Sequence, residues 1–139
     1  MEIKQYMYVY YQYDYKSLLQ VALHVCYFGW DYHGFAVQEI TGKTIESELF
    51  NALTLTKLIK CREESNYHRC GRTDKGVSAF QQVITIDLRS NLLDGPGVIK
   101  YEGCRAEERV SGNSEPITEI NYCKIINANL PSHIQVIGE

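Results

Sequence analysis

Residues 68–80 read His-Arg-Cys-Gly-Arg-Thr-Asp-Lys-Gly-Val-Ser-Ala-Phe and hold the side chains best suited to chemistry in this chain. Asp74 stands between Gly71 and Gly76, with Arg72 two residues before it and Lys75 directly after. Glycine admits backbone conformations that other residues avoid, so the carboxylate can ride on a tight turn. Nearby positive charge favours the ionised form of a carboxylate, and an ionised carboxylate serves as nucleophile or base. By itself an Arg-Thr-Asp triplet reads as a surface hairpin with a salt bridge, because most such pairs are structural. The longer string moves the balance toward chemistry.

A loop of this kind must be held by its flanks. Val21, Leu23, Val25 and Tyr27 alternate with Ala22, His24 and Cys26, which predicts a strand with one buried face. Residues 28–43 form a Gly-rich connection carrying Trp30, Tyr32 and Phe35. Thr44 then reads as a helix N-cap, with Glu46 and Glu48 in the first turn. Ile45, Leu49, Ala52, Leu53 and Ile59 make the apolar stripe of that helix. A short strand near 66–70 leads into the glycine-bracketed loop, and Val77 to Leu88 reads as a longer strand. Residues 89–116 lack periodicity and read as a long mobile loop. Pro116 opens a second helix over Ile117, Ile120, Cys123 and Ile126, and Ile134 to Ile137 closes with a strand. The fold class is α+β: the order β-α-β-β-α-β is that of a ferredoxin-like unit with an antiparallel sheet and two helices on one face.

Composition bounds the function classes. A chain of 139 residues is one domain's worth, and 45% hydrophobic with 22% charged residues describes a folded globular protein. The cysteines at 26, 61, 70, 104 and 123 are odd in number and form no Cys-x-x-Cys pair, so neither a zinc site nor a disulfide framework is indicated. A reducing intracellular compartment fits that usage. No apolar run reaches membrane-spanning length, and the N-terminus has no signal-peptide core. The net charge of −3 counts against a nucleic-acid partner, since phosphate neutralisation supplies much of such affinity. Two local clusters remain. Lys57, Lys60 and Arg62 read as cations at a helix C-terminus, whereas Arg69, Arg72 and Lys75 surround the candidate carboxylate. Residues 1–16, with tyrosines from Tyr6 to Tyr15, read as an irregular tail.

The string Gly71-Arg72-Thr73-Asp74-Lys75-Gly76-Val77-Ser78-Ala79 resembles the active-site signature of the tRNA pseudouridine synthase A family. Tyr27 to Gln38 resembles that family's opening motif, a strand followed by a Gly- and aromatic-rich turn ending in Gln. Thr44-Ile45-Glu46 and Asn129-Leu130-Pro131 with Ile134 follow in the expected order, so the resemblance runs from about residue 21 to 138. The lead-in Asn66-Tyr67-His68-Arg69-Cys70 is most similar to the eukaryotic branch that modifies tRNA positions 38 and 39.

The resemblance implies that residues 17–139 form the N-terminal half of a pseudouridine synthase catalytic domain, with the ferredoxin-like unit as half of the catalytic fold. It implies an isomerase of tRNA uridine, working without cofactor or metal, in the nucleus and/or cytoplasm and away from membranes. Asp74 and Arg72 would be catalytic, and Arg69, Lys75, Gly71 and Gly76 would meet the RNA. Asp74 either adds to the ribose or acts as base in an elimination; both routes stay open. Arg72 is suited to pair with Asp74 and to brace the space left by an extracted base. Family members are longer, and their downstream half supplies a tyrosine against the target base and a basic residue facing the aspartate. The expectation is therefore a truncated form, inactive or weak alone, completed by a C-terminal half or a second chain. The alternative is a non-catalytic RNA-binding or assembly module that keeps the same unit.

Overall fold

The structure, a computed structural model, describes residues 17–92, 98–100 and 118–139. Strand β1 (Ser17–Tyr27) is its centre. Its alternation works as the pattern predicts: Val21, Leu23, Val25 and Tyr27 are buried, while Gln20 and Ala22 are exposed on the opposite face. Helix α1 (Ile45–Leu55) follows, then strand β2 (His68–Arg69) and strand β3 (Ala79–Arg89). Strand β4 (Val98–Lys100), helix α2 (Tyr122–Asn127) and strand β5 (Ile134–Gly138) complete the described elements.

All strand pairs are antiparallel. β3 runs along one edge of β1 from Leu18 opposite Arg89 to Tyr27 opposite Ala79, with a register shift after Val25. β2 pairs with the outer edge of β3. The other edge of β1 is shared by β4, which pairs with Ser17–Leu19, and by β5, which pairs with His24–Tyr27. The sheet order is thus β2-β3-β1-β4, with β5 also beside β1. One core joins Leu23, Val25, Ile84, Ile86 and Leu88 to Leu49 and Leu53 of α1 and to Tyr122 and Ile126 of α2. Both helices therefore cover the same face of an α+β layer.

Beyond small shifts at strand ends, β1 starting at Ser17 and β3 at Ala79, three features differ from the sequence reading. Helix α1 stops at Leu55, because Thr56 bonds back to Ala52 and Leu53 through its hydroxyl and Lys57 takes a φ of 57°. Ile59 is buried from beyond the helix, and Lys57, Lys60 and Arg62 lie past its last turn. The second helix begins at Tyr122, not after Pro116. The side chain of Asn121 caps it by accepting from the Lys124 amide at 3.2 Å. The Glu119 carboxylate holds the preceding segment outside the helix by accepting from the Asn91 and Ile120 amides at 3.1 and 2.8 Å. Finally, β4 lies inside the stretch read as a loop over 89–116. The remainder of that stretch except 89–92, together with Pro116, Ile117 and the tail at 1–16, falls outside the described residues.

Candidate active site

The glycine-bracketed string forms the connection between β2 and β3, the two strands that pair as a hairpin. Its tip is a turn in which the Val77 amide donates to the Asp74 carbonyl at 3.1 Å. Gly76 takes the third position with a φ of 76°, a conformation that a type II turn demands there and that side chains disfavour. Lys75 occupies the second position. The spacing Asp-Lys-Gly-Val is therefore a turn requirement as well as a chemical signature.

Five hydrogen bonds hold this loop, most of them to the opening motif at the end of β1. The Tyr27 hydroxyl meets Thr73 Oγ1 at 2.6 Å, and the Thr73 carbonyl accepts from the Phe35 amide at 3.0 Å. The Gly76 amide donates to the Tyr32 carbonyl at 3.2 Å, and the Gly29 amide donates to Ser78 Oγ at 2.9 Å. The Gly71 carbonyl accepts from the side chain of Gln82 on β3. This last bond holds the loop to its own hairpin, so four of the five cross to the opening motif. Thr73 is thus clamped on both its side chain and its backbone, immediately before Asp74. Burial raises the pKa of the Tyr27 phenol, against a lowering by the Thr73 bond, so it remains a neutral hydrogen-bonding group at physiological pH.

Gly29 makes the closest approach. A Cβ at this position would lie 1.9 Å from the Val77 carbonyl oxygen, which is backbone and cannot swing away. Gly29→Ala is expected to displace the loop and to cost about 2 kcal/mol. A lower thermal midpoint, with faster amide exchange at Gly76, checks this. An unchanged melting curve would show that the two motifs do not bear on each other.

Asp74, Arg72 and Lys75 are exposed on this clamped loop. The expected Arg72–Asp74 ion pair is not formed: among the described residues the ion pairs join Arg62 and Arg69 to Glu46. An exposed pair gains little in water, so nothing compels it to close. The three-cation cluster read around Asp74 is accordingly divided. Arg72 and Lys75 stay on the loop, while Arg69 turns to Glu46.

Glu46 is the residue that sequence reasoning underrated. Its side chain is fully buried, and its carboxylate accepts from the Val37 amide and Arg62 Nη2, each at 3.0 Å, and from the Tyr67 hydroxyl and Arg69 Nη1, each at 2.6 Å. Burial alone would raise its pKa, but the bonds from Tyr67, Val37 and Arg69 and the charge of Arg62 outweigh it and hold the carboxyl below its ordinary value. The Arg62 guanidinium also lies over the rings of Phe50 and Tyr67, at 4.6 and 5.2 Å. This constellation joins the end of the opening motif, the start of α1 and the lead-in to β2. Glu46 itself has no exposed surface, so it acts by anchoring the strand that leads into the loop.

With that geometry in hand, the relatives are informative. No protein-family model matches the chain. The chain is 50% identical over 118 residues to the human tRNA pseudouridine(38/39) synthase, covering 85% of this chain and 23% of that protein. It is 38% identical over 120 residues to the tRNA pseudouridine(38/39) synthase of Saccharomyces cerevisiae, covering 84% and 24%. Against tRNA pseudouridine synthase A of Methanosarcina barkeri it is 39% identical over 84 residues, covering 60% and 31%. The chain is a homologue of the tRNA pseudouridine synthases. Within them it groups with the eukaryotic tRNA pseudouridine(38/39) synthases, and it spans about a quarter of the length of the curated relatives it matches.

Proposed function

We propose that this segment presents the catalytic aspartate of a tRNA pseudouridine synthase, acting on uridine at position 38 or 39 of the anticodon stem-loop. The observation that carries the reading is the clamp on Thr73: side chain and carbonyl are both held, and the next residue, Asp74, is left exposed. A group acting on a base gains rate from being fixed, since misplacement by about 1 Å can cost about 100-fold. The names of the relatives support the substrate class. The fold reading goes with it. The order β2-β3-β1 with β5 across β1 supports a ferredoxin-like unit, to which β4 is an addition.

In the reaction the uridine C1′–N1 bond breaks, the base turns, and C1′ bonds to C5, which loses its proton while N1 gains one. Atoms and electrons balance without an external reagent. Asp74 serves as nucleophile toward the ribose or as the base of an elimination. Arg72 braces the extracted nucleotide. Lys75 meets phosphate, with Gly71 and Gly76 allowing close backbone approach. Arg69 contributes to RNA only through the part of its fork that Glu46 leaves open. The target base is held between this segment and the downstream half of the enzyme, in the nucleus or cytoplasm. Residues 1–139 alone turn over little, because nothing clamps the extracted base.

Mass mapping of pseudouridine at positions 38 and 39, in tRNA treated with a polypeptide joining this segment to a downstream half, tests the reading. Arg72→Lys keeps charge but loses the planar fork, so turnover falls strongly and tRNA binding only modestly. Lys75→Ala is the milder change. A larger loss of turnover from Lys75→Ala would reverse the two roles, and RNA binding with no modification at either position would favour a non-catalytic module.

A further inference from the structure

Phe28 and Trp30 flank Gly29, the residue that locks the opening motif against the candidate active-site loop. Their rings stack at 5.1 Å with 29° between planes, yet they are 56% and 76% exposed. The fold holds them there. The Tyr32 amide donates to the Gly29 carbonyl at 3.1 Å, closing a turn that has Trp30 at its outer corner. The Phe28 amide donates to the His133 carbonyl at 2.9 Å, anchoring the other side. Beside this pair, Val77 is 48% exposed at the end of the Asp74 turn. Arg72 and Lys75 on the same loop have no ion pair among the described residues.

Resting on the function proposed above, we infer that the Phe28–Trp30 pair is a stacking platform for an unpaired nucleobase of the RNA next to the target uridine. A preformed, outward-facing aromatic stack offers a flat face to any base, and single-stranded loops are the parts of RNA whose bases are free to take it. Arg72 and Lys75, exposed on the loop that Gly29 abuts, bring positive charge for the RNA backbone, which a partner of purely apolar surface would not need. Placement against the Asp74 loop gives the platform its use. An enzyme that draws a uridine out of its stack must supply replacement contacts, and a neighbouring base held on Trp30 keeps the strand splayed.

Trp30 is the sole tryptophan of the chain, so its emission reports on this platform alone. An octameric oligouridylate titrated into residues 1–139 at low salt is expected to quench that emission, and an abasic oligomer of equal length is not. With a labelled oligouridylate, Trp30→Leu weakens binding about 5- to 150-fold, the range for loss of one base stack. Trp30→Phe restores most of it, and Phe28→Leu weakens binding as well. Equal quenching by the abasic oligomer would reduce the site to a phosphate contact and overturn the proposal. So would emission that depends on protein concentration and ignores RNA, which assigns the patch to a second copy of the chain. The isomerase reading fails on a different result, RNA binding with no modification at position 38 or 39, so the two are separable.

Discussion

Asp74→Asn is expected to abolish uridine isomerisation by the complete enzyme while leaving the fold intact. Asn matches Asp in size and hydrogen-bonding reach but carries no charge, so it neither adds to C1′ nor removes a proton at a useful rate. Loss of an acting base costs about 100- to 10,000-fold, and loss of a nucleophile costs more. A structural role predicts the opposite signature. The Asp74 side chain is exposed, and neither Arg72 nor Lys75 forms an ion pair with it. Its replacement therefore changes stability by no more than about 0.5 kcal/mol, as at ordinary surface positions. Turnover by tritium release and stability by thermal melting, on the same preparation, separate the two. Lost turnover with an unchanged melt is the expected pair of results.

Glu46 gives the mirror-image prediction, a large loss of stability from a residue that touches no substrate. Glu46→Ala leaves Arg62, Arg69 and the Tyr67 hydroxyl without their common acceptor. Removing one partner of a fully buried ion pair typically costs about 3 to 5 kcal/mol; both arginines here keep about a third of their side chains in water, so about 2 to 3 kcal/mol is expected. Because Glu46 joins α1 to the lead-in of β2, the loop at 70–78 is expected to lose amide protection along with global stability. The pH dependence has a fixed sign. The folded-state pKa of Glu46 lies below its ordinary value of 4.5, so its contribution is present above that value. It is lost as the pH falls through the lower folded pKa. Denaturant melts of the parent chain therefore show falling stability below about pH 4.5, and Glu46→Gln flattens that slope. A parent slope retained in the variant would assign the acid sensitivity elsewhere.

Much of this was legible in the residues. The alternation of β1 marked its buried face, Thr44 marked the start of α1 by accepting from the Ser47 amide, and Gly76 marked the turn that carries Asp74. Glu46 was legible in principle. With Leu49, Phe50 and Leu53 it falls at helical spacing on the apolar stripe, where an acidic residue must find partners inside. Reading it as a first-turn acid accounted for its charge and overlooked its face. Other features depended on tertiary contacts that no local pattern records. Helix α1 ends early because Lys57 adopts a left-handed backbone, although Ile59 continues the stripe. β4 is a strand of three residues that exists because one end of β1 offers it an edge. The clamp on Thr73 joins residues 46 positions apart, Tyr27 and Thr73, and only the folded chain brings them together.

Asp74, held by the opening motif, is the proposed reacting group of a pseudouridine synthase. A chimera in which this chain replaces the matched segment of the human relative, to which it is 50% identical, puts that role to the test. The measurement is tritium release from C5-labelled uridine in tRNA, with pseudouridine mapped at positions 38 and 39. Release is expected from the chimera and none above background from its Asp74→Asn variant, at equal tRNA binding and equal melting temperature. Comparable release from both proteins would contradict it.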